Sequence, residues 1–250
     1  MIKFYRKIRQ NLLSEGKTGK YFKYAIGEIV LVVIGILIAL QINNWNEERK
    51  AAKREYALFQ NILIDLENED IVLNNALRSY KQHSDLYYHL YDNRINKAYY
   101  DSTSGAYNFI RWHNIWDLSV TNKHKNKISE ITSGKIKGIL NEKADIESSV
   151  LQAKKSYNNF KDETIIPFFI RHRLHDGDAV FKSEKYKWLP LYDIDFIRMD
   201  RLKSQEVSVE LEQILVELKI KSSWAIENIE TLMNKNSEIS MTLREELNKK

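Results

Sequence analysis

The densest group of side chains able to hold a metal is His172, His175, Asp176 and Asp178, in the run HRLHDGD. His-x-x-His spacing sets two imidazoles on one side of a helix, with carboxylates following. A metal centre also needs a third firm ligand and partners that orient the imidazoles. Neither is legible, and Arg171 and Arg173 add positive charge, so a structural loop without metal is expected. His83 and His89 do not face one another on a helix. His113 stands among Phe109, Trp112 and Trp116, the surroundings of a core or surface histidine rather than a base. Ser102 and Ser104 lack the glycine pattern of a nucleophile elbow. No phosphate-binding glycine loop occurs. The 14 tyrosines could line a ligand groove, though tyrosine at helical spacing usually belongs to a core. Cysteine is absent, which removes disulfide and thiolate chemistry. The expectation is a protein that is not an enzyme, with no catalytic residues, cofactor or metal.

The elements around these residues read as helices. Eight glycines and two prolines in 250 residues are too few for a turn-rich sheet protein or a nucleotide-binding α/β fold. The net charge of +5 comes from 39 basic and 34 acidic residues, and much of the excess lies before residue 25. That is a local basic patch rather than a nucleic-acid surface, which would combine clustered Lys and Arg with stacking aromatics.

The segment Tyr21 to Trp45 is the most informative. Ile29 to Leu40 is unbroken apolar sequence, and Ala25 to Ile42 holds only Glu28 and Gln41 as polar residues. As a helix, residues 25–42 reach roughly 27 Å, close to a hydrocarbon core of about 30 Å. A buried core helix would show the same run. The flanks favour a membrane instead: Tyr21, Phe22 and Tyr24 at one end and Trp45 at the other are ring types that settle among headgroups. A cleaved signal peptide would need small residues after the run, where Leu40, Gln41, Ile42, Asn43 and Asn44 stand. An uncleaved anchor is expected.

Lys3, Arg6, Lys7, Arg9, Lys17, Lys20 and Lys23 precede the span, against Arg49, Lys50, Lys53 and Arg54 after it. The richer side stays in the cytoplasm. Ile2, Tyr5, Ile8 and Leu12 recur at helical spacing beside Lys3, Arg6, Lys7 and Arg9, as in a basic amphipathic helix lying on anionic headgroups. Within the span, Gly27, Gly35 and Ala39 fall on one face, where small residues let two helices approach closely. Glu28 has two readings. It sits close enough to the cytoplasmic edge to reach headgroup water, or it is a partner or proton-carrying group inside the membrane.

The opening KFYRKIRQNLLSEGKTGKY, followed by YAIGEIVLVVIGILIALQINNWNEERK, resembles the start of uncharacterised Bacteroidota membrane proteins grouped as domain of unknown function 6090. The likeness covers residues 2 to about 50 and includes Gly27, Glu28, Gly35, Gln41, Asn43, Asn44 and Trp45. EITSGKIKGI at 130–139 resembles a Ser-Gly-Lys segment of the same family. The resemblance implies a single N-terminal span and a helical extracytoplasmic region, with no known activity.

Beyond the span, helical spacing continues to about Tyr91. Phe59, Ile62, Leu66, Leu73, Ala76, Tyr80 and Tyr87 form a near-heptad seam, which Glu69 and His83 interrupt. Short helical patches are expected around Tyr107–Val120 and Ile128–Ile131. A second long pattern runs through Ile139, Ile146, Val150, Ala153, Tyr157 and Phe160 until Pro167 ends or redirects it. Residues 171–193 read as a long connection. Leu211, Leu215, Leu218, Ala225, Ile229, Leu232, Ile239 and Leu243 mark a final long helix. The fold expected is all-α: one N-terminal transmembrane helix followed by an elongated antiparallel helical bundle. Its parts are a cytoplasmic basic segment at 1–20, the span at 21–45 and an extracytoplasmic domain at 46–250.

The expected role is a membrane-anchored interaction or scaffold protein of the bacterial cell envelope. Its partners would be membrane lipid and, through the span, a second copy or another membrane protein, with no nucleic acid. The alternative is a sensor or regulatory subunit whose periplasmic helical domain binds a ligand and signals through the span. The expected location is the bacterial inner membrane, single-pass, with the C-terminal domain in the periplasm.

Overall fold

The computed structural model describes residues 18–95, 110–181 and 197–249. The described elements are all helical: α1 Thr18–Ile95, α2 Val120–Ile128, α3 Gly134–Phe160, α4 Ile166–Arg171, α5 Gly177–Phe181, α6 Met199–Leu202 and α7 Gln205–Asn248. A π-helical turn, Lys161–Ile165, joins α3 to α4. The chain divides into two units between Ala57 and Leu58.

In the first unit the described side chains of α1 have no core to enter. An 18-residue window there has a mean hydropathy of 2.6 and none of it is buried. Ile29 is 64% exposed, Leu31 69% and Leu37 59%. Helix α1 is thus long and apolar enough to cross a membrane.

The second unit packs residues 58 onward of α1 against α3 and α7. The expected stripes are the ones that turn inward. Phe59, Ile62, Leu66, Leu73, Ala76, Tyr80 and Tyr87 are buried on α1, and Leu211 through Leu243 at helical spacing on α7. On α3, Ile139, Val150, Ala153 and Tyr157 are buried, while Ile146 and Phe160 pack at the margin.

Side-chain pairs fix the helix directions. Glu69 meets Lys143 and His83 meets Tyr157, so α1 and α3 run parallel. Glu67 meets Arg244 and Lys81 meets Glu230, so α7 runs antiparallel to α1. Glu142 with Lys235, and Ser156 with Lys221, set α7 antiparallel to α3 as well. The antiparallel relation therefore holds for the last helix against each of the others. The first two run the same way because the chain between Ile95 and Gly134 is long enough to return before α3 begins.

Ser133 starts α3 by accepting a hydrogen bond on Oγ from the Ile136 amide, 3.4 Å away. Pro167 acts as a redirection. It lies in the first turn of α4, directly after the π turn in which the Ile166 amide bonds back to the Lys161 carbonyl. A proline ring crowds the carbonyl four residues earlier, and the wider π turn precedes that conflict.

The short helices differ from their expected positions. Residues Ile110 and Arg111 form a turn, residues 112–119 have no regular structure, and α2 occupies Val120–Ile128, with Ile131 beyond its end. Trp112 and Trp116 have helical spacing, but aromatics are modest helix formers and their carbonyls are taken by side chains of the π turn and α3.

Candidate functional site

The buried side chains of the second unit form two apolar cores with a polar layer between them. One core holds Leu66, Leu140 and Ile239; the other holds Leu73, Val150 and Leu232. In sequence, the gap between these residues on each helix contains Glu69, Lys143, Glu147 and Asn236, all buried. Lys143 Nζ lies 2.9 Å from Glu69 Oε2 and 3.2 Å from Glu147 Oε2. Asn236 Nδ2 donates to Glu69 Oε2 and to Asp70 Oδ1, both at 2.9 Å. Thr121 donates to Glu147. One lysine thus stands between two buried carboxylates. Burial raises the Glu69 pKa, with Lys143 and Asn236 opposing that rise and Glu147 adding to it. Beside this layer, α2 presents Lys123 Nζ and His124 Nε2 to the two oxygens of Asp65, at 2.7 and 2.6 Å. Burial raises the Asp65 pKa, but these two partners more than offset it and the carboxyl stays below its ordinary value.

The second polar group is built on tyrosines. The Tyr80 ring meets Tyr157 edge-on, with centroids 5.1 Å apart at 74°. The Tyr87 and Tyr157 hydroxyls are hydrogen-bonded, and Tyr157 Oη is 3.4 Å from His83 Nδ1. The consistent proton order has Tyr87 donating to Tyr157, and Tyr157 donating to a neutral His83. Burial, with the nearby Lys161 charge, pushes the His83 pKa down to about 4. Burial pushes the Tyr80 hydroxyl up to about 12, with Asn114 and Trp116 beside it opposing the rise. Lys161, fully buried at the start of the π turn, places Nζ 4.4 Å from the Tyr157 ring centroid and donates to the Trp112 carbonyl. Among the described residues it has no carboxylate partner, and burial brings its pKa down to about 7.

Residues 112–116 lie along α3 and are held through their backbone. Lys161 donates to the Trp112 carbonyl and Lys154 to that of Trp116. Between them, the Asn158 amide group accepts from the Asn114 N–H at 3.2 Å and donates to the Asn114 carbonyl at 3.1 Å. Residues 154 and 158 of α3 and 161 of the π turn form one stripe, and alternate carbonyls of the segment meet it in reverse order. Ser79 on α1 adds a bond to Asn114 Oδ1 at 2.9 Å.

The sequence-derived candidates lie elsewhere. Gly27 and Gly35 have nothing within 4 Å of an added Cβ, and Ala39 is exposed, so their face of α1 has no neighbour among the described residues. Phe22 and Trp45 are 66% and 62% exposed, and the Arg49 guanidinium lies 6.0 Å from the Trp45 ring. Tyr21, Tyr24 and Glu28 belong to the same helix. Lys3, Arg6, Lys7 and Arg9 lie outside the described residues, as do Ser102 and Ser104.

The HRLHDGD run is dispersed. His172 pairs with Glu210 at 2.7 Å, where Arg171 also binds. His175 stacks on Phe169 at 5.7 Å and bridges to Ile197. Asp176 Oδ1 accepts the Asp178 and Ala179 amides at the start of α5. Among the described residues no three His, Cys, Asp or Glu side chains come together as metal ligands. His113 forms a surface pair with Asp162 at 3.0 Å.

Sequence reading singled out Glu69 and His83 as breaks in a seam but missed Lys143, Glu147, Lys161 and Asn236. A signal existed. Lys143 and Glu147 interrupt the apolar stripe between Leu140 and Val150, and Asn236 sits between Leu232 and Ile239.

An all-α chain with, among the described residues, one candidate span and a helical unit beyond it in sequence is the class these observations define. Residues 28–146 match the model of DUF6090, described as a family of unknown function. The match runs from Glu28 through Glu69 and Lys143, and stops short of Asn236, Tyr157 and Lys161. None of the curated proteins and none of the solved structures matches the chain.

Proposed function

We propose that this protein is a membrane-anchored, non-enzymatic interaction or scaffold protein of the bacterial cell envelope. Residues 21–45 hold it in the inner membrane, its N-terminus is cytoplasmic, and its helical region is periplasmic. The observation that carries this reading is the apolar stretch of α1, none of which is buried. Its apolar side chains would meet water at a cost of about 25 cal/mol per Å², and lipid removes that cost. The excess of Lys and Arg before the span supports the orientation. Alkaline phosphatase fused after Lys250 is expected to be active, and a cytoplasm-dependent reporter there dark. The opposite pattern would reverse the topology.

The span is also proposed to recognise another helix, in a second copy or a membrane-protein partner. Lipid tails do not distinguish one apolar sequence from another, whereas Gly27, Gly35 and Ala39 permit close approach. Replacing residues 25–42 by a leucine-rich segment is expected to keep insertion and lose association. Cysteines placed along residues 27–39 read this out by crosslinking, with no native cysteine to compete. Glu28→Gln and Gly35→Leu should each weaken the crosslink. Unchanged crosslinks after the leucine swap would leave the span a plain anchor.

One observation favours the sensor reading. A mostly apolar cavity of about 210 Å³ lies between α1 and α7, lined by Tyr87, Tyr88, Tyr91, Leu215, Ile220 and Lys219. A small amphipathic ligand bound there would be displaced by Leu215→Trp. Native mass spectrometry of the purified protein showing an adduct lost in that variant would select the sensor.

A further inference from the structure

The segment Arg111–Asp117 is attached differently at its ends and in its middle. Ile110 and Leu118 are buried in the main apolar core, at 0% and 4% exposure. Between them the backbone attachments are polar, from Lys154 and Asn158 of α3 and Lys161 of the π turn, and Ser79 binds Asn114, while the Trp116 ring is only partly buried where it packs against that core. The outward residues His113, Ile115 and Asp117 are exposed, Ile115 at 92%. Apolar anchors resist opening in proportion to buried area, whereas each polar fastening exchanges for water at small net cost. The junction is also incompletely satisfied. Asn114 Nδ2, Trp116 Nε1 and the Tyr80 hydroxyl are buried close together and none completes a well-formed hydrogen bond. Such atoms gain partners when water enters.

We propose that residues 111–117 are a releasable strap, which bows away from α3 between fixed ends at Ile110 and Leu118 while the three-helix core stays folded. Release uncovers the Lys161 amine, the Tyr80 and Tyr157 rings and the donor row of Lys154, Asn158 and Lys161. That row is built for backbone carbonyl oxygens, so its complement is an extended peptide. The strap occupies the row in the closed state, and its opening is the step that gates access to it.

The test is native-state hydrogen exchange on the full chain in detergent micelles. Amides of residues 111–117 are expected to exchange on the order of 100-fold faster than those of residues 150–158 of α3, with little dependence on low denaturant, as local opening requires. Lys161 should be acylated by an amine-reactive reagent at a rate that tracks strap opening. Asn158→Ala should speed strap exchange roughly tenfold and leave the remaining α3 amides unchanged. Strap amides that exchange only with the α3 core, at the same rate and denaturant dependence, would overturn the proposal in the wild-type protein alone. So would Lys161 acylation that occurs only on global unfolding.

Discussion

Burial disfavours the charged forms of His83 and Lys161, which makes stability depend on pH in two separate windows. The His83 pKa falls from 6.5 to about 4 in the fold. Its contribution is complete above 6.5 and is lost as pH drops toward 4, because the unfolded chain takes up the proton first. Lys161 falls from 10.5 to about 7. Its contribution is complete above 10.5, declines as pH drops to 7 and changes no further below. Each window has an upper slope of about 1.4 kcal/mol per pH unit. Denaturation midpoints measured from pH 4 to 10 should therefore show His83→Gln flattening the acid window by about one proton and Lys161→Met flattening the alkaline one. Equal slopes in wild type and variants would mean that water reaches both groups. The Lys143 layer gives a second prediction. Lys143→Met alone leaves Glu69 and Glu147 buried without their cation and should cost about 3–5 kcal/mol, whereas replacing all three by apolar residues should restore most of the loss. The two breaks in the α1 seam were legible as anomalies. Their partners were not, since Lys143, Asn236 and Tyr157 meet them only once three helices are in register.

At the scale of elements, long periodic stripes were read correctly because many residues vote for the same period. The stripe of α7, from Leu211 to Leu243, is buried throughout and its helix runs Gln205–Asn248. Short segments carry too few residues to outvote a tertiary contact. Trp112 and Trp116 suggest a helical turn, yet Lys154 and Lys161 hold their carbonyls and keep the segment open. Pro167 left two outcomes, an end or a redirection, and the π turn before it makes it a redirection. The start of α3 is cheap to test. Ser133→Ala removes the oxygen that accepts the Ile136 amide and should lower stability by about 1 kcal/mol with helix content retained. A change within 0.2 kcal/mol, roughly the effect of a neutral surface substitution, would mean that water serves this helix end equally well.

For the molecule as a whole, the two apolar cores decide what can be removed. Every residue of both comes from Leu58 onward, and the described part of α1 before it contributes none. Deleting residues 1–57 therefore takes away no core side chain among the described residues, while it removes the large exposed apolar surface that aggregates in water. The polar layer at Glu69 and Lys143, the tyrosine group and the strap all lie within what remains. A chain of residues 58–250 should be soluble without detergent, predominantly helical by circular dichroism, and should melt cooperatively within a few degrees of the full-length protein in micelles. A ΔΔG of 1 kcal/mol corresponds to about 2–4 °C at this size, so a few degrees is the scale at which a lost contact would register. A midpoint lower by ten degrees or more, or a broad non-cooperative melt, would show that the N-terminal residues stabilise the helical unit. The anchor and the helical unit would then have to be treated as one folding element.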